Sequence, residues 1–357
     1  MIYAVVMFLV GLVLLIKGGD WFVDGATGIA KRFNIPELLI GATVVSIGTT
    51  LPEVMVSVTS AVKGIGAMAY GNAIGSIICN TALIAAITVA IKPSRVEKKS
   101  LMLPVAFFFG SALLYGGNAI ITGYFSRTFG FVMLAIFIIY MVIIVRSALK
   151  KPTVETGAEA GVISGTDDTE AGAEAVKTGN EAKVTDVEAS KTGNKTKEEG
   201  RPLWQEILFL VAGAILIAAG ADLLVNNGTY IATALGVPAS VIALTFVALG
   251  TSLPEFATAI TSLAKGHGAL SLGNIIGANI INLVLVSGAS MSIAPFALPA
   301  EKLIAGMNAS VIVDLPVMYG VMLILTIPAL IRGKLSRVQG IALLLIYFTY
   351  VVFQFTA

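Results

Sequence analysis

The stretch Gly48-Thr49-Thr50-Leu51-Pro52-Glu53 interrupts an apolar run that is otherwise long enough to cross a lipid bilayer. It recurs almost unchanged as Gly250-Thr251-Ser252-Leu253-Pro254-Glu255. Each copy places a carboxylate where lipid makes a charge costly, beside a helix-breaking proline and hydroxyls that can bind a cation. We therefore expect the two copies to face each other and to form one cation-binding site.

The composition indicates a membrane protein. The 357 residues are 57% hydrophobic and 12% charged, against about 25% charged residues in average soluble proteins. The net charge of +2, without a basic patch, argues against nucleic-acid binding. The single cysteine, Cys79, is expected to be a small buried side chain. Nothing indicates a cofactor or an obligatory protein partner, so the expected partners are the bilayer and transported ions.

The apolar runs predict an all-α integral membrane protein with ten transmembrane helices. The first run lacks a basic region before it and a cleavage site after it, so we expect a spanning helix rather than a signal peptide. The predicted spans are 2–24, 36–61, 68–91, 102–121, 129–148, 204–228, 238–262, 269–293, 314–331 and 338–356.

A segment of different composition separates two groups of five spans. Residues 150–203 are rich in Gly, Thr, Ala, Glu and Lys and contain no aromatic residue, which predicts a disordered linker. A calcium-sensing domain is the alternative, but only Asp167 and Asp168 are adjacent acids there. The predicted domains are a first five-helix repeat at 1–149, the linker at 150–203 and a second repeat at 204–357.

The loop charges predict the orientation. With the N-terminus outside, most loop lysines and arginines lie inside, and only Lys63, Arg127 and Lys302 lie outside, as the positive-inside rule requires. Both chain ends are then outside and the linker is cytoplasmic.

The two groups of spans form an internal repeat. An offset of 202 residues joins Glu53 to Glu255, and the same offset joins Asp20 to Asp222, Pro52 to Pro254, Lys63 to Lys265, Asn72 to Asn274 and Asn80 to Asn282. Because each half has an odd number of spans, the second half enters the membrane from the opposite side. Inverted repeats of this kind place substrate sites near the bilayer midplane, at the repeat interface.

The motifs supply oxygen ligands. Proline has no amide hydrogen, so the carbonyls of Gly48 and Gly250 lose their helical partners. Hydroxyls three and four residues before each glutamate share its helical face. They are Thr49 and Thr50 for Glu53, and Thr251 and Ser252 for Glu255; Ser46 and Ala248 lie one turn earlier.

The next span of each half carries a second polar stripe. Its members are Asn72, Ser76 and Asn80 in the first half, and Asn274, Ala278 and Asn282 in the second. Asn72 and Asn274 are equally well explained as interhelical hydrogen-bonding residues. Together the four helices offer carboxylates, hydroxyls, amides and carbonyls, an all-oxygen set that suits a hard cation such as calcium.

Other polar residues have structural explanations. Two protonated glutamates that only join neighbouring helices would explain Glu53 and Glu255, but their matched motifs favour a functional site. We expect Asp20 and Asp222 to cap helices or to be solvated, Asp314 to be an N-cap and His267 to be solvated in a loop. The glycines at 11, 18, 19, 213 and 220 are expected to permit close helix packing.

The motifs GTTLPE and GTSLPE, each followed by a helix of pattern Gly-Asn-x-x-Gly-x-x-x-x-Asn, resemble the alpha repeats of the cation/calcium exchanger superfamily, above all prokaryotic sodium/calcium exchangers. The resemblance implies that Glu53 and Glu255 are central carboxylates shared by calcium and sodium. It assigns backbone carbonyls to Thr49 and Thr251, and hydroxyl positions to Thr50 and Ser252. It further implies a sodium-site hydroxyl at Ser76, polar positions at Asn80 and Asn282, and first and sixth spans that slide across the other eight.

Two departures from the family pattern qualify this assignment. Ala278 replaces a serine expected opposite Ser76, so one sodium site loses a hydroxyl. Asn282 stands where potassium-dependent relatives have aspartate, which argues against potassium coupling. Buried glutamates can also take up protons, because burial penalises the charged form, so proton competition with calcium is expected.

The leading hypothesis is a secondary-active calcium/sodium antiporter in a prokaryotic plasma membrane, and the alternative is a calcium/proton antiporter. A cation channel would need a repeated filter, which one inverted pair does not supply. An intramembrane enzyme is disfavoured, because the spans contain no Ser/His pair, metal-ligand histidines or thiol–base pair.

Overall fold

The computed structural model describes residues 2–150, 201–234, 248–299, 303–304 and 306–356. This part of the chain is helical, as predicted. Its helices are α1 Ile2–Arg32, α2 Glu37–Thr49, α3 Leu51–Val62, α4 Gly66–Ile91, α5 Lys98–Thr122, α6 Arg127–Lys150, α7 Leu203–Ala234, α8 Ala248–Thr251, α9 Leu253–Ala264, α10 Gly268–Ile293, α11 Ser310–Arg332 and α12 Arg337–Thr356. Residues 2–150 and 201–356 belong to one compact unit.

The helices are long and apolar enough for a multi-span membrane protein. Within the described residues, eight single helices pass this test, and the bent pair α2–α3 raises the number to nine. The predicted span 238–262 begins in residues 235–247, outside the described residues, so only its later part is seen, as α8 and α9. Most of the predicted linker, 151–200, also lies outside them.

Proline bends the second span as the sequence predicts. Between α2 and α3 the axis turns by 47°, and Pro52 occupies the first turn of α3. In the described part of the chain, four helices also contain π-helical segments, which the sequence did not predict: Gly41–Val45, Asn80–Ala85, Asn282–Val286 and Ser310–Asp314. Such segments are frequent at functional sites, and two of them begin at the candidate residues Asn80 and Asn282.

Helices α1 and α7 form a closely packed antiparallel pair. A Cβ atom on Gly18 would lie 2.9 Å from the carbonyl oxygen of Gly213, and one on Gly213 would overlap the backbone of Phe22. The predicted role of Gly18 and Gly213 in helix packing is therefore confirmed. Small residues allow backbones to approach in lipid, where van der Waals contact replaces the hydrophobic effect.

Contacts between loops define the two ends of the helix bundle. At one end, β1 Tyr124–Phe125 pairs antiparallel with β2 Phe296–Ala297, and Gly66 lies against Phe296. At the other end, Leu335 N donates to Ser94 O at 2.9 Å, and Gly268 lies beside Ser94. Helices α4 and α10 therefore run in opposite directions. A second short pair, β3 Leu303–Ile304 with β4 Met307–Asn308, precedes α11.

The helices α4 and α10 form the centre of the bundle. Their most apolar windows are 72% and 89% buried inside the protein. Beside them, the rings of Tyr70, Tyr115, Phe125 and Phe296 pack around the β1–β2 pair, with centroids 4.8–6.2 Å apart. The central helices thus lie in protein, while apolar residues of α1, α6 and α12 remain exposed, as a bilayer requires.

Asp314 and His267 differ from the sequence prediction. Asp314 is not an N-cap, because its helix already begins at Ser310. Its Oδ1 instead accepts hydrogen bonds from Tyr350 at 3.0 Å and Gln354 at 2.8 Å. His267 is not merely solvated: its Nδ1 lies 2.7 Å from Glu37 Oε1.

Replacing Gly273 by alanine should destabilise the protein by about 1–3 kcal/mol, because the new methyl group would overlap the Leu38 backbone in a packed core. A Cβ atom added to the exposed Gly110 of α5 would meet no atom within 4 Å, so Gly110→Ala should be neutral or stabilising. Thermal unfolding of both variants in detergent checks this. Equal melting temperatures would contradict the close contact of α10 with α2.

Candidate functional site

The two sequence motifs meet in the interior of the bundle. Glu53 and Glu255 lie in the first turns of α3 and α9, and both side chains are 0% exposed. Each follows a single turn residue, Thr50 or Ser252, that separates the two helices of its pair. The proline after that residue supplies no amide hydrogen, so the chain can bend there without breaking an existing bond.

Each motif directs a hydroxyl at the carboxylate of the other. Thr50 Oγ1 donates to Glu255 Oε1 at 3.2 Å. In the equivalent arrangement, the Ser252 side chain and the Glu255 carboxylate lie close enough to Glu53 to interact with it electrostatically. The predicted residues Glu53, Glu255, Thr50 and Ser252 are therefore brought together across the two halves of the chain.

Several buried polar atoms at this point have no hydrogen-bond partner among the described residues. They are both carboxylate oxygens of Glu53, Oε2 of Glu255, Oγ of Ser252, and the side-chain oxygen and nitrogen atoms of Asn80 and Asn282. Buried polar groups are normally paired. The oxygen atoms of this set match what a hard cation requires, so a bound cation would satisfy them.

Two asparagines connect the motifs by a reciprocal set of hydrogen bonds. Thr49 Oγ1 donates to Asn274 Oδ1 at 3.3 Å, and Thr251 Oγ1 donates to Asn72 Oδ1 at the same distance, 3.3 Å. Asn274 Nδ2 in turn donates to Thr258 Oγ1 at 2.8 Å. Each threonine hydroxyl is thus held by an asparagine of the opposite half.

Asn72 is anchored in the same manner within the first half. Its Nδ2 donates to Ser57 Oγ at 2.7 Å and to the carbonyl of Glu53 at 3.2 Å. The sequence analysis did not single out Ser57 or Thr258. They lie four residues after Glu53 and three after Glu255, so the offset of 202 does not join them.

The other predicted site residues are buried nearby or lie at the limit of the description. Ser46 is fully buried and donates to Thr43 O at 3.1 Å. Ser76 is 4% exposed, and its counterpart Ala278 is fully buried. Ala248 begins α8, and its side chain is outside the described part. Cys79 is buried, as expected, with its Sγ 3.8 Å from Tyr347 Oη.

The candidate site is poor in strong metal ligands. In the described part of the chain, no three His, Cys, Asp or Glu side chains cluster. A cation between Glu53 and Glu255 would therefore need hydroxyl, amide and carbonyl oxygens to complete its coordination. Such a ligand set fits calcium or sodium better than zinc or copper.

The α1–α7 pair covers the motifs from one side. A small cavity lies between Phe22 of α1, Ala214, Ile217 and Ala218 of α7, and the motif residues Gly48, Thr49, Pro52 and Pro254. The freed backbone near the prolines therefore faces protein rather than lipid, as exposed backbone at membrane depth requires.

These features define a multi-span membrane protein with a buried cluster of oxygen atoms contributed by two related halves. The chain matches the family "Sodium/calcium exchanger protein" over residues 3–146 and 206–356, and it belongs to that family. The protein is thus a prokaryotic-type exchanger of the cation/calcium exchanger superfamily, in an integral, multi-pass membrane location, as the resemblance implied.

The comparisons with individual proteins agree. The sodium/calcium exchanger MaX1 of Methanosarcina acetivorans is 30% identical, over 98% of this chain and 97% of its own. The inner membrane protein YrbG of Escherichia coli is 32% identical, over 83% and 81%. A solved structure of the sodium-calcium exchanger NCX_Mj, soaked with Na⁺ and Sr²⁺, is 29% identical with a TM-score of 0.74, and the match covers 98% of both chains.

The hydrogen bonds around Asn274 can be tested with two isosteric changes. Thr258→Val removes the buried acceptor of Asn274 and should destabilise the protein by about 1–3 kcal/mol, since a buried donor is left unpaired. We also expect weaker calcium binding, because Asn274 holds Thr49. Thr349→Val removes an exposed hydroxyl bonded to Leu345 O and serves as the control. Thermal unfolding and calcium titration measure both effects, and identical behaviour of the two variants would contradict the proposed support.

Proposed function

We propose that this protein is a secondary-active antiporter that exchanges calcium for sodium by alternating access, on a midplane site built on Glu53 and Glu255. The observation that carries this proposal is the meeting of two fully buried carboxylates from different halves: Glu255 Oε1 accepts a hydrogen bond from Thr50, and the other three carboxylate oxygens have no partner among the described residues. Membership of the sodium/calcium exchanger family and the names of the relatives support the choice of ions.

The proposed architecture has ten spans in two inverted five-helix repeats, with both chain ends outside. The domains are 1–149 and 204–357, joined by a cytoplasmic linker at 150–203. The opposite directions of α4 and α10 support the inversion. Residues 235–247, which include the start of the predicted span 238–262, lie outside the described residues, so the count of nine concerns the described part alone.

The proposed ligands combine the two motifs with the neighbouring helices. Glu53 and Glu255 supply the negative charge, which balances one calcium ion. Neutral oxygens come from Thr49, Thr50, Thr251, Ser252, Ser76, Asn80 and Asn282, and from the backbone near Ser46 and Ala248. Calcium and sodium are transported ions here rather than resident cofactors.

Charge balance explains obligatory exchange. Without a cation, the two buried carboxylates repel each other and lose hydration, so an empty carrier should change conformation reluctantly. Sodium ions replace the lost charge and permit the return step. Ala278 offers no hydroxyl where Ser76 has one, so the two halves should hold sodium unequally.

Calcium flux into proteoliposomes should follow an imposed sodium gradient. A pH gradient of equal size, without sodium, should drive flux weakly, because the relatives named as sodium/calcium exchangers favour sodium as the coupling ion. Radioactive calcium uptake under both gradients decides between the two antiporters. Flux that follows only the pH gradient would refute sodium coupling.

Replacing either Glu53 or Glu255 by glutamine should abolish calcium transport while the protein still inserts into the membrane. The change preserves shape and removes one of the two charges that balance calcium. Glu97→Gln alters an exposed carboxylate bonded to Ser100 and should transport normally. Near-normal calcium uptake by either site variant would contradict the two-carboxylate model.

A further inference from the structure

The repeat makes Lys63 and Lys265 equivalent, yet the structure uses them differently. Lys265 Nζ lies 2.8 Å from Asp24 Oδ1 and 3.4 Å from Asp20 Oδ1. It also donates to the Asp20 carbonyl at 2.9 Å. Among the described residues, Lys63 makes no ion pair and is exposed.

The carboxylates show the same inequality. Asp222, the counterpart of Asp20, accepts a hydrogen bond from Asn226 Nδ2 at 2.9 Å within its own helix. Asn226 is the counterpart of Asp24, so the second half has one carboxylate where the first has two. Asp20 was expected to cap a helix or to be solvated, but α1 continues to Arg32 and Asp20 is paired instead.

The packing of the helices differs between the two halves in the same way as the ion pairs do. Helix α1 packs along α9, where a Cβ atom on Gly19 would lie 2.7 Å from Thr261 Oγ1. No comparable packing joins α7 to α3 in the described part of the chain. Thr59, the counterpart of Thr261, is exposed, and so is the α3 side chain of Met55 at 67%.

Among the described residues, these contacts fasten the α1–α7 pair at the Lys265 end of the bundle, and no equivalent contacts are found at the Lys63 end. The Lys265 end carries the loop between α9 and α10, which contains Lys265. The opposite end carries the loop between α3 and α4, which contains Lys63. Because the pair covers the motif residues Gly48, Thr49, Pro52 and Pro254, its attachment determines which end of the site is closed.

We propose that Lys265 is a positioning residue of the exchange cycle, which holds α1 against α9 and closes the site on the Lys265 side, while Lys63 and Asp222 form the equivalent closure in the opposite state. This inference rests on the proposed exchange function. In an inverted repeat, the opposite state exchanges the environments of the two halves. Because Asn226 is not charged, Lys63 would have one carboxylate partner in the opposite state, whereas Lys265 has two in this structure. The state with Lys265 paired is therefore favoured over the opposite state.

The magnitude of the effect is modest, because the ion pairs are partly exposed. The side chains of Lys265, Asp20 and Asp24 are 27%, 38% and 37% exposed. Removing an exposed ion pair changes an equilibrium by up to about fivefold. We therefore expect a shift of populations rather than loss of the fold.

The test measures the distance between α1 and α9 on the Lys265 side. Spin labels at Arg32→Cys and Ala264→Cys use two exposed positions, and the native Cys79 is buried. Double electron–electron resonance in nanodiscs, at fixed ion concentrations, then gives the ratio of long to short distances. Protein without the added cysteines controls for labelling of Cys79.

Lys265→Gln should raise the ratio of long to short distances by up to about fivefold, and Lys265→Arg should keep it near the wild-type value. The matched variant Lys63→Gln should not raise it. Asn226→Asp should raise it, since Lys63 then gains a second carboxylate in the opposite state. An unchanged ratio in Lys265→Gln, or an equal rise in Lys63→Gln, would overturn the proposal.

If Lys265→Gln fails to insert into the membrane, Asp24→Asn is used in its place. It should also raise the ratio of long to short distances, and an unchanged ratio would overturn the proposal. The distances do not depend on flux. A protein that shows the Lys265 effect but no sodium-driven calcium uptake would refute the proposed function alone. Normal exchange with unchanged distances would refute the closure alone.

Discussion

The structure depends on one electrostatic constraint: two carboxylates from different halves of the chain are buried together. Glu53 and Glu255 are fully buried, and the Thr50 hydroxyl, three residues before Glu53, donates a hydrogen bond to Glu255. Two such charges are unfavourable without a compensating cation or proton. The bent helices, the reciprocal hydroxyl contacts and the covering α1–α7 pair all keep these groups facing one another and away from lipid.

The meeting of the two motifs was predicted from the sequence because the same residue types recur in both halves at a constant offset. A carboxylate, a proline and hydroxyls at one constant offset leave few alternatives in an apolar chain, so the meeting of the two motifs was predictable. The helical bend at Pro52 followed from the missing amide hydrogen. The close packing at Gly18 and Gly213 followed from the absence of side chains.

Other features were hidden because they depend on tertiary contacts. Ser57 and Thr258 support equivalent asparagines from positions that differ by one residue, so a search for a constant offset misses them. Asp314 resembles an N-cap next to Leu315-Pro316, but a π-helical segment extends its helix backwards and turns the carboxylate toward α12. The contacts of His267 with Glu37 and of Lys265 with Asp24 join residues more than 200 positions apart, which no local pattern records.

The short strand pair β1–β2 has a mechanical consequence. It fastens the first half of the chain to the second at one end of the bundle, and contacts of Ser94 and Val96 with the α11–α12 loop fasten them at the other. With α4 and α10 buried between these ties, rigid-body rocking of one half against the other would have to break contacts at both ends. The halves that duplication created in the sequence are therefore tied to each other, and the movement proposed above falls instead to one helix of each half, α1 and α7.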